Sequence, residues 1–251
     1  MAELQRLAIA LSQLQNQQIM LTADQQHYLY RVLRLREGDR FIAMDGCGHW
    51  WLTQLDTPDT AIIQSEILVK SELPLDVTLM AALPKGNGFD EVVRQAVELG
   101  VYCIIPMVSD RTLLKPSSQK IERWRRIAAE AAEQSERQIV PTILEPVSFT
   151  VGVENCDRKY RYICVARGES RNLLNCLLEN FDTPLKRKEK EGGNFSQSIV
   201  IATGPEGGWT ESEVESAIAS GFQPVSLGSR ILRAVTAPIV ALSLVVGALE
   251  N

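Results

Sequence analysis

From Asp76 to the carboxyl terminus the chain alternates short apolar runs with stretches of helical spacing, and few folds accommodate that rhythm. Val77–Leu83 reads as one apolar run, as a strand covered on both faces requires. Gly86-Asn87-Gly88 marks a loop. Phe89, Val92, Val93, Ala96 and Val97 then recur at helical spacing, with Gly100 as the C-terminal cap. Val101–Val108 is the next expected strand, and the spacing of Ile121, Trp124, Ala128, Ala131 and Ser135 predicts a helix over Lys120–Gln138. Further strands are expected at Arg161–Ala166, Ser198–Thr203 and Pro224–Leu227. Between the last two, Thr210 and Glu213 form a capping box that opens a helix ending at Gly221. A last helix is expected over Thr236–Leu249. Repeated strand–helix units imply a parallel α/β sheet.

Residues 1–70 have a different texture. Phe41–Met44, Trp50–Leu55 and Ala61–Val69 are short mixed runs, broken by turn signals at Glu37-Gly38-Asp39, Asp45-Gly46 and Thr57-Pro58-Asp59. That pattern predicts a small β-barrel with one short helix near Asp24–Leu35. Ser71-Glu72-Leu73-Pro74 reads as a hinge, so the expected division is a β module over 1–72 and an α/β domain over 73–251. Thr183–Gln197 fits neither scheme. It is polar, charged and glycine-containing, and reads as a surface loop whose lysines and Arg187 either touch RNA or are simply solvated.

Composition narrows the function classes. Five scattered cysteines without a C-x-x-C pair, and only His27 and His49 beside them, argue against a structural zinc site and for reduced thiols in a cytoplasm. Met1–Leu14 lacks the basic-then-apolar order of a signal peptide, and Ala237–Leu249 is too short to span a bilayer, so no membrane role is expected. The net charge of -5 argues against non-specific coating of nucleic acid while leaving a local basic face open. No P-loop, no G-x-G-x-x-G after a strand and no G-x-S-x-G elbow is present, and with both histidines in the N-terminal module a histidine triad in the α/β part is excluded.

Two glycine-bearing turns after late strands are what remains. Ile199–Thr203 runs into Gly204-Pro205-Glu206-Gly207-Gly208, and Val225–Leu227 runs into Gly228-Ser229-Arg230-Ile231-Leu232-Arg233-Ala234-Val235-Thr236. Ligands of parallel sheets bind at the carboxyl ends of strands, where glycines let the backbone approach closely. Either turn alone is also an ordinary tight strand-to-helix connection.

Together, Thr203-Gly-Pro-Glu-Gly-Gly208 and Leu227-Gly-Ser-Arg-Ile-Leu-Arg233-Ala-Val-Thr-Ala237 resemble the RsmE family of ribosomal RNA methyltransferases, within the SPOUT superfamily. Lys85-Gly86, Glu98–Val101 and Ala131–Pro141 resemble family positions too, and His27–Asp39 is similar to its PUA-like RNA-binding module. The resemblance implies a PUA-like β-barrel followed by a SPOUT domain, a parallel α/β methyltransferase domain with a C-terminal trefoil knot. It implies S-adenosylmethionine as cofactor, no metal, a homodimer, and N3 of one uridine in 16S rRNA of the small ribosomal subunit as target. Two departures stand out: Val235 where the family usually has an acidic residue, and no lysine near Gln95. A SPOUT enzyme with another RNA target, or a non-catalytic assembly factor that kept the fold, are the alternatives.

On that resemblance the cofactor pocket is expected at Thr203, Gly204, Pro205, Glu206, Gly207, Gly208, Leu227, Gly228, Ile231 and Leu232. Arg233, then Arg230, are the candidates for holding the target nucleotide, with a helix-end or intersubunit salt bridge as the plainer reading of Arg233. Glu206 is a candidate base or merely an acceptor of amide hydrogen bonds. The basic stretch Arg111–Arg126 suits phosphate contacts, with Arg123 and Arg126 foremost, yet Arg126, Glu130, Glu133 and Arg137 also follow salt-bridge spacing on a helix. The resemblance sets Arg137 near the active site. Arg31, Arg34, Arg36 and Arg40 are the expected RNA-docking set of the first module, or else solvated surface. Trp50, Trp51 and Trp124 either stack bases or fill core.

Overall fold

The computed structural model describes residues 4–113, 116–181 and 198–250, which form two compact units. Residues 4–72 together with Ala129–Val140 make up the first, and Leu73–Ala128 with Pro141 onward the second. The expected loop at Thr183–Gln197 and the cation Lys115 lie outside the described residues.

The first unit is a six-stranded mixed sheet. Its strands are β1 (Arg6–Ala8), β2 (Leu14–Gln15), β3 (Gln18–Met20), β4 (Arg40–Met44), β5 (Trp50–Thr57) and β6 (Thr60–Ile67), in the order β1-β4-β5-β6-β3-β2. Among the described residues no pairing joins β1 to β2, so the sheet is a half-barrel rather than a closed one. Leu7, Ile19, Leu29, Phe41, Ala43, Leu55 and Ala61 fill its concave side. Helix α1 (Ala23–His27) is opened by the reciprocal pair Thr22 and Gln25, whose side chains each accept the other's amide. It is shorter than the expected Asp24–Leu35 because the chain widens into a π-type turn over Tyr28–Val32 and leaves it at Arg34, φ +59°.

In the second unit β7 (Asp76–Ala82), α2 (Gly88–Glu98) and β8 (Cys103–Val108) follow the predicted order, then α3 (Ser118–Gln134). Helix α3 ends four residues before the expected Gln138, because Glu136 takes φ +60° and the Arg137 amide donates to Ala132 O at 2.9 Å. After it come the two-residue strands β9 (Thr142–Ile143) and β10 (Val147–Ser148), α4 (Phe149–Glu154), β11 (Tyr160–Cys164), β12 (Arg171–Asn172) and α5 (Leu173–Phe181). The chain closes with β13 (Ser198–Thr203), α6 (Glu211–Ala219), β14 (Gln223–Ser226) and α7 (Thr236–Leu249).

The sheet order is β10-β8-β7-β13-β11-β14-β12, with β9 also on β8, and every pair is parallel. Strand β13 is therefore inserted between β7 and β11, both earlier in sequence, and all six of its residues are buried. On one face Met80, Met107, Ile163, Val200 and Ala202 pack against Phe149 and Val153 of α4 and Ala217 of α6. Val77, Leu79, Ile199 and Ile201 point the other way and are also fully buried, so both faces are covered. Helix α7 packs against α2, α5 and β13.

Candidate active site

Because every pair in this sheet is parallel, the carboxyl ends of β7, β8, β11, β13 and β14 lie along one edge and their loops gather there. Three of those loops, Val165–Ser170 after β11, Gly204–Thr210 after β13 and Leu227–Leu232 after β14, enclose a cavity of about 800 Å³. That is the size of a pocket for a cofactor-sized ligand. Arg111, from the loop after β8, closes one side.

The glycine loop is fixed by its neighbours. The Gly208 amide donates to Pro205 O at 2.9 Å, making a tight turn, and the Trp209 indole Nε1 donates to Cys164 O at 3.1 Å. Arg111 Nη1 donates to Gly207 O at 2.6 Å and to Trp209 O at 3.3 Å. Its side chain lies so close over Gly207 that an added Cβ there would stand 3.0 Å from Arg111 Cδ. Glu206 Oε1 accepts the Lys85 amide at 2.9 Å, tying the loop after β7 to the loop after β13.

Beyond the loop, the predicted capping box is present: Thr210 Oγ1 accepts the Glu213 amide and Glu213 Oε2 accepts that of Thr210. Glu213 does more than cap. It is buried, and its Oε1 accepts the Asp110 amide at 2.9 Å, so one carboxylate satisfies donors from two loops. In the third loop Gly228 has φ +119°, and its amide donates to Ser226 Oγ at 3.1 Å. Burial pushes the Cys164 thiol, at the end of β11, up to about 12, so it stays protonated at neutral pH. Among the described residues no group of three or more His, Cys, Asp or Glu is arranged to hold a metal ion, and no helix is long and apolar enough to cross a membrane.

Residues 71–246 match the RNA methyltransferase domain family, and residues 21–64 match the RNA methyltransferase PUA domain. Over 248 residues the chain is 47% identical to the ribosomal RNA small subunit methyltransferase E of Synechocystis, covering 98% of this chain and 78% of that protein. The chain belongs to the methyltransferase E family. The Bacillus subtilis member is 31% identical, with 89% of this chain and 87% of that one covered. A Neisseria gonorrhoeae member, solved bound to S-adenosyl methionine, superposes with a TM-score of 0.80 at 28% identity over 96% of each chain.

Against the family expectations, Gly204, Pro205, Glu206, Gly207, Gly208, Leu227, Gly228, Ile231 and Leu232 all line the one cavity, as does Arg230. Thr203 does not. It is the last residue of β13, 1% exposed, and its buried hydroxyl has no hydrogen-bond partner among the described residues. Arg233 is exposed beside the cavity rather than in its lining, and no ion pair engages it among the described residues. A methyl of Val235, the position of the departure, sits over Gly88, where an added Cβ would meet it at 2.7 Å. Ile231 is 68% exposed, unusual for an isoleucine in a built loop.

The basic stretch is largely committed to intramolecular partners. Lys120 Nζ donates to Gly86 O at 2.9 Å, Arg123 Nε pairs with Asp90 at 2.9 Å, and Arg125 is held by Glu122 and Glu145. Arg126 alone of the expected pair is exposed without an ion pair among the described residues. Arg137 is a correction to the expected RNA-contacting set. It is 2% exposed, and its guanidinium is bound by the Glu72 carboxylate, so it holds the first unit together instead of meeting a ligand. Trp124 and Trp50 are core residues, Trp124 Nε1 donating to Asp90 at 3.0 Å, while Trp51 is half-buried with its ring stacked on His49. Arg31, Arg34, Arg36 and Arg40 are exposed, and no side-chain ion pair engages them among the described residues.

Charge spacing missed Arg111's role, because its partners are main-chain carbonyls. The wall Val165–Ser170 was missed too, although Gly168, φ +93°, sits in the turn after a parallel strand just as Gly204 and Gly228 do.

Proposed function

We propose that the chain is a methyltransferase that transfers a methyl group from S-adenosylmethionine to N3 of a uridine in 16S rRNA of the small ribosomal subunit, acting in the cytoplasm as a homodimer. What carries this reading is the joining of both family motifs, Gly204–Gly208 and Leu227–Leu232, in one cavity at the carboxyl edge of a parallel sheet. The residues present fit the cofactor. The cavity has the volume, its glycines leave backbone groups accessible, and its mixed charges, Arg111, Arg167 and Arg230 with Glu169 and Glu206, suit a ligand that is both zwitterion and cation.

When bound, S-adenosylmethionine supplies a methyl group on a sulfonium centre. The chain's own work is to align the nucleotide and to favour loss of the N3 proton. We assign Arg233 to the nucleotide: an exposed guanidinium without an ion pair among the described residues can donate to a uracil carbonyl oxygen or a phosphate, and such donors stabilise the anion left at N3. Arg230, in the cavity lining, is the second cation. We assign Glu206 to loop positioning rather than to proton abstraction, since the carboxylate already accepts the Lys85 amide.

Residues 1–72 are assigned as the PUA-like RNA-binding domain and 73–251 as the methyltransferase domain. Exposed Arg31, Arg34 and Arg36 would contact phosphate, joined by Arg126 of α3. Homodimerisation is supported by α7, on which Val240, Ser243, Leu244 and Gly247, spaced along one stripe, are not buried within the single chain. In cells deleted for their own small-subunit methyltransferase E, expression of this chain is expected to restore N3-methyluridine to 16S rRNA. Digested RNA that still lacks that nucleoside, with the protein present and soluble, would refute the proposal.

A further inference from the structure

We infer that Arg111 is a positioning residue of the cofactor site, holding the glycine loop in its binding conformation from two strands away. The inference rests on the reading of Gly204–Gly208 as a cofactor wall. In the sheet β8 and β13 are separated by β7, a span of about 10 Å between strand axes, which only a long side chain bridges. Arg111 does so. One nitrogen, Nη1, reaches the carbonyls of both Gly207 and Trp209, and its aliphatic stem covers Gly207.

Two observations make this a built contact. The base of the arginine is fixed on either side: Ser109 donates its amide to Thr112 Oγ1 at 3.1 Å, and Asp110 donates its amide to the buried Glu213 at 2.9 Å. Gly207, in turn, is crowded by Arg111: a Cβ there would stand 3.0 Å from its Cδ and 3.4 Å from its Cβ, so the arginine would have to give by a few tenths of an ångström. Within the turn itself the Gly208-to-Pro205 hydrogen bond is, among the described residues, the backbone bond that closes it. Without the guanidinium the carbonyls of Gly207 and Trp209 would turn to water and the loop would sample other conformations, each of which lowers the fraction competent to bind.

The test uses the full-length chain and S-adenosylhomocysteine, titrated by calorimetry, with amide hydrogen exchange of residues 204–210 in the free protein. Arg111→Ala is expected to weaken binding about ten- to a hundredfold, the effect of losing a charge-assisted hydrogen bond, and to speed exchange in that segment. In turnover it should raise KM for the cofactor far more than it lowers kcat. Arg111→Lys, which keeps the charge and a donor nitrogen on a shorter stem, should recover part of the affinity. Gly207→Ala should weaken binding in the wild type and cost less in the Arg111→Ala background, where the crowding is relieved.

Unchanged affinity and unchanged exchange in Arg111→Ala, with the wild type binding normally, would overturn the inference while leaving the cofactor reading intact. Losses that simply multiply in the double variant would overturn it too. Failure of the wild type to bind at all would remove the cofactor reading, and the inference with it.

Discussion

Replacing Arg233 with alanine is expected to lower kcat/KM for methyl transfer by about 10²- to 10³-fold, the loss seen when one donor to a developing anion is removed. Cofactor affinity should change by less than about threefold, since Arg233 is outside the cavity lining. The stability of the fold should hold as well, because the side chain is exposed and no internal ion pair is broken among the described residues. Steady-state rates with small subunits, paired with calorimetric titration of S-adenosylhomocysteine, separate these effects. An alanine variant that turns over normally would remove Arg233 from the chemistry. One that no longer binds the cofactor would reassign it to the pocket.

A second large effect is expected at Gly228. Its φ of +119° lies where side chains bearing a Cβ are strained, at a cost of order 1–3 kcal/mol, while the space around it is open. Gly228→Val therefore forces the loop after β14 to relax rather than to clash. Because that loop forms one wall of the cavity, cofactor affinity should fall by about five- to 150-fold, with the circular dichroism of the folded protein unchanged. Wild-type affinity in the valine variant would show that this wall does not hold the cofactor.

How legible these features were depended on how local their causes are. The long strands β7, β8 and β13 announce themselves as apolar runs because both faces of a parallel sheet are buried, and β13 coincides with the expected Ser198–Thr203, whereas the two-residue edge strands β9, β10 and β12 are too short and too exposed to do so. The capping box at Thr210 and Glu213 is equally local, four residues with one geometry. Helix α4 is six residues long, too short for helical periodicity to emerge, whereas α5 does carry helical spacing at Leu173, Cys176, Leu177 and Phe181, a local signal the sequence reading passed over. At the end of α3 the apolar spacing runs on through Ser135, but Glu136 adopts a left-handed conformation without being a glycine, and nothing in the local sequence signals it.

The same distinction governs the site. Both glycine-bearing loops were visible in the sequence because glycine just after a predicted strand is a local signal. Arg137 was misplaced because its partner, Glu72, lies 65 positions upstream, and charge spacing along one helix cannot see it. The internal contacts of Arg123 and Lys120 escaped the sequence for the same reason, since Asp90 and Gly86 come from another segment. The insertion of β13 between β7 and β11 is a long-range choice that no window of sequence encodes.

Methyl transfer itself is the most direct test. Purified protein is incubated with methyl-labelled S-adenosylmethionine and small ribosomal subunits from a strain that lacks the modification, and the digested nucleosides are identified by mass. Label in N3-methyluridine is the expected result, and it should disappear with Arg233→Ala. Label in any other nucleoside, or none from protein that binds the cofactor, would contradict the assignment of this cavity to uridine-N3 methylation.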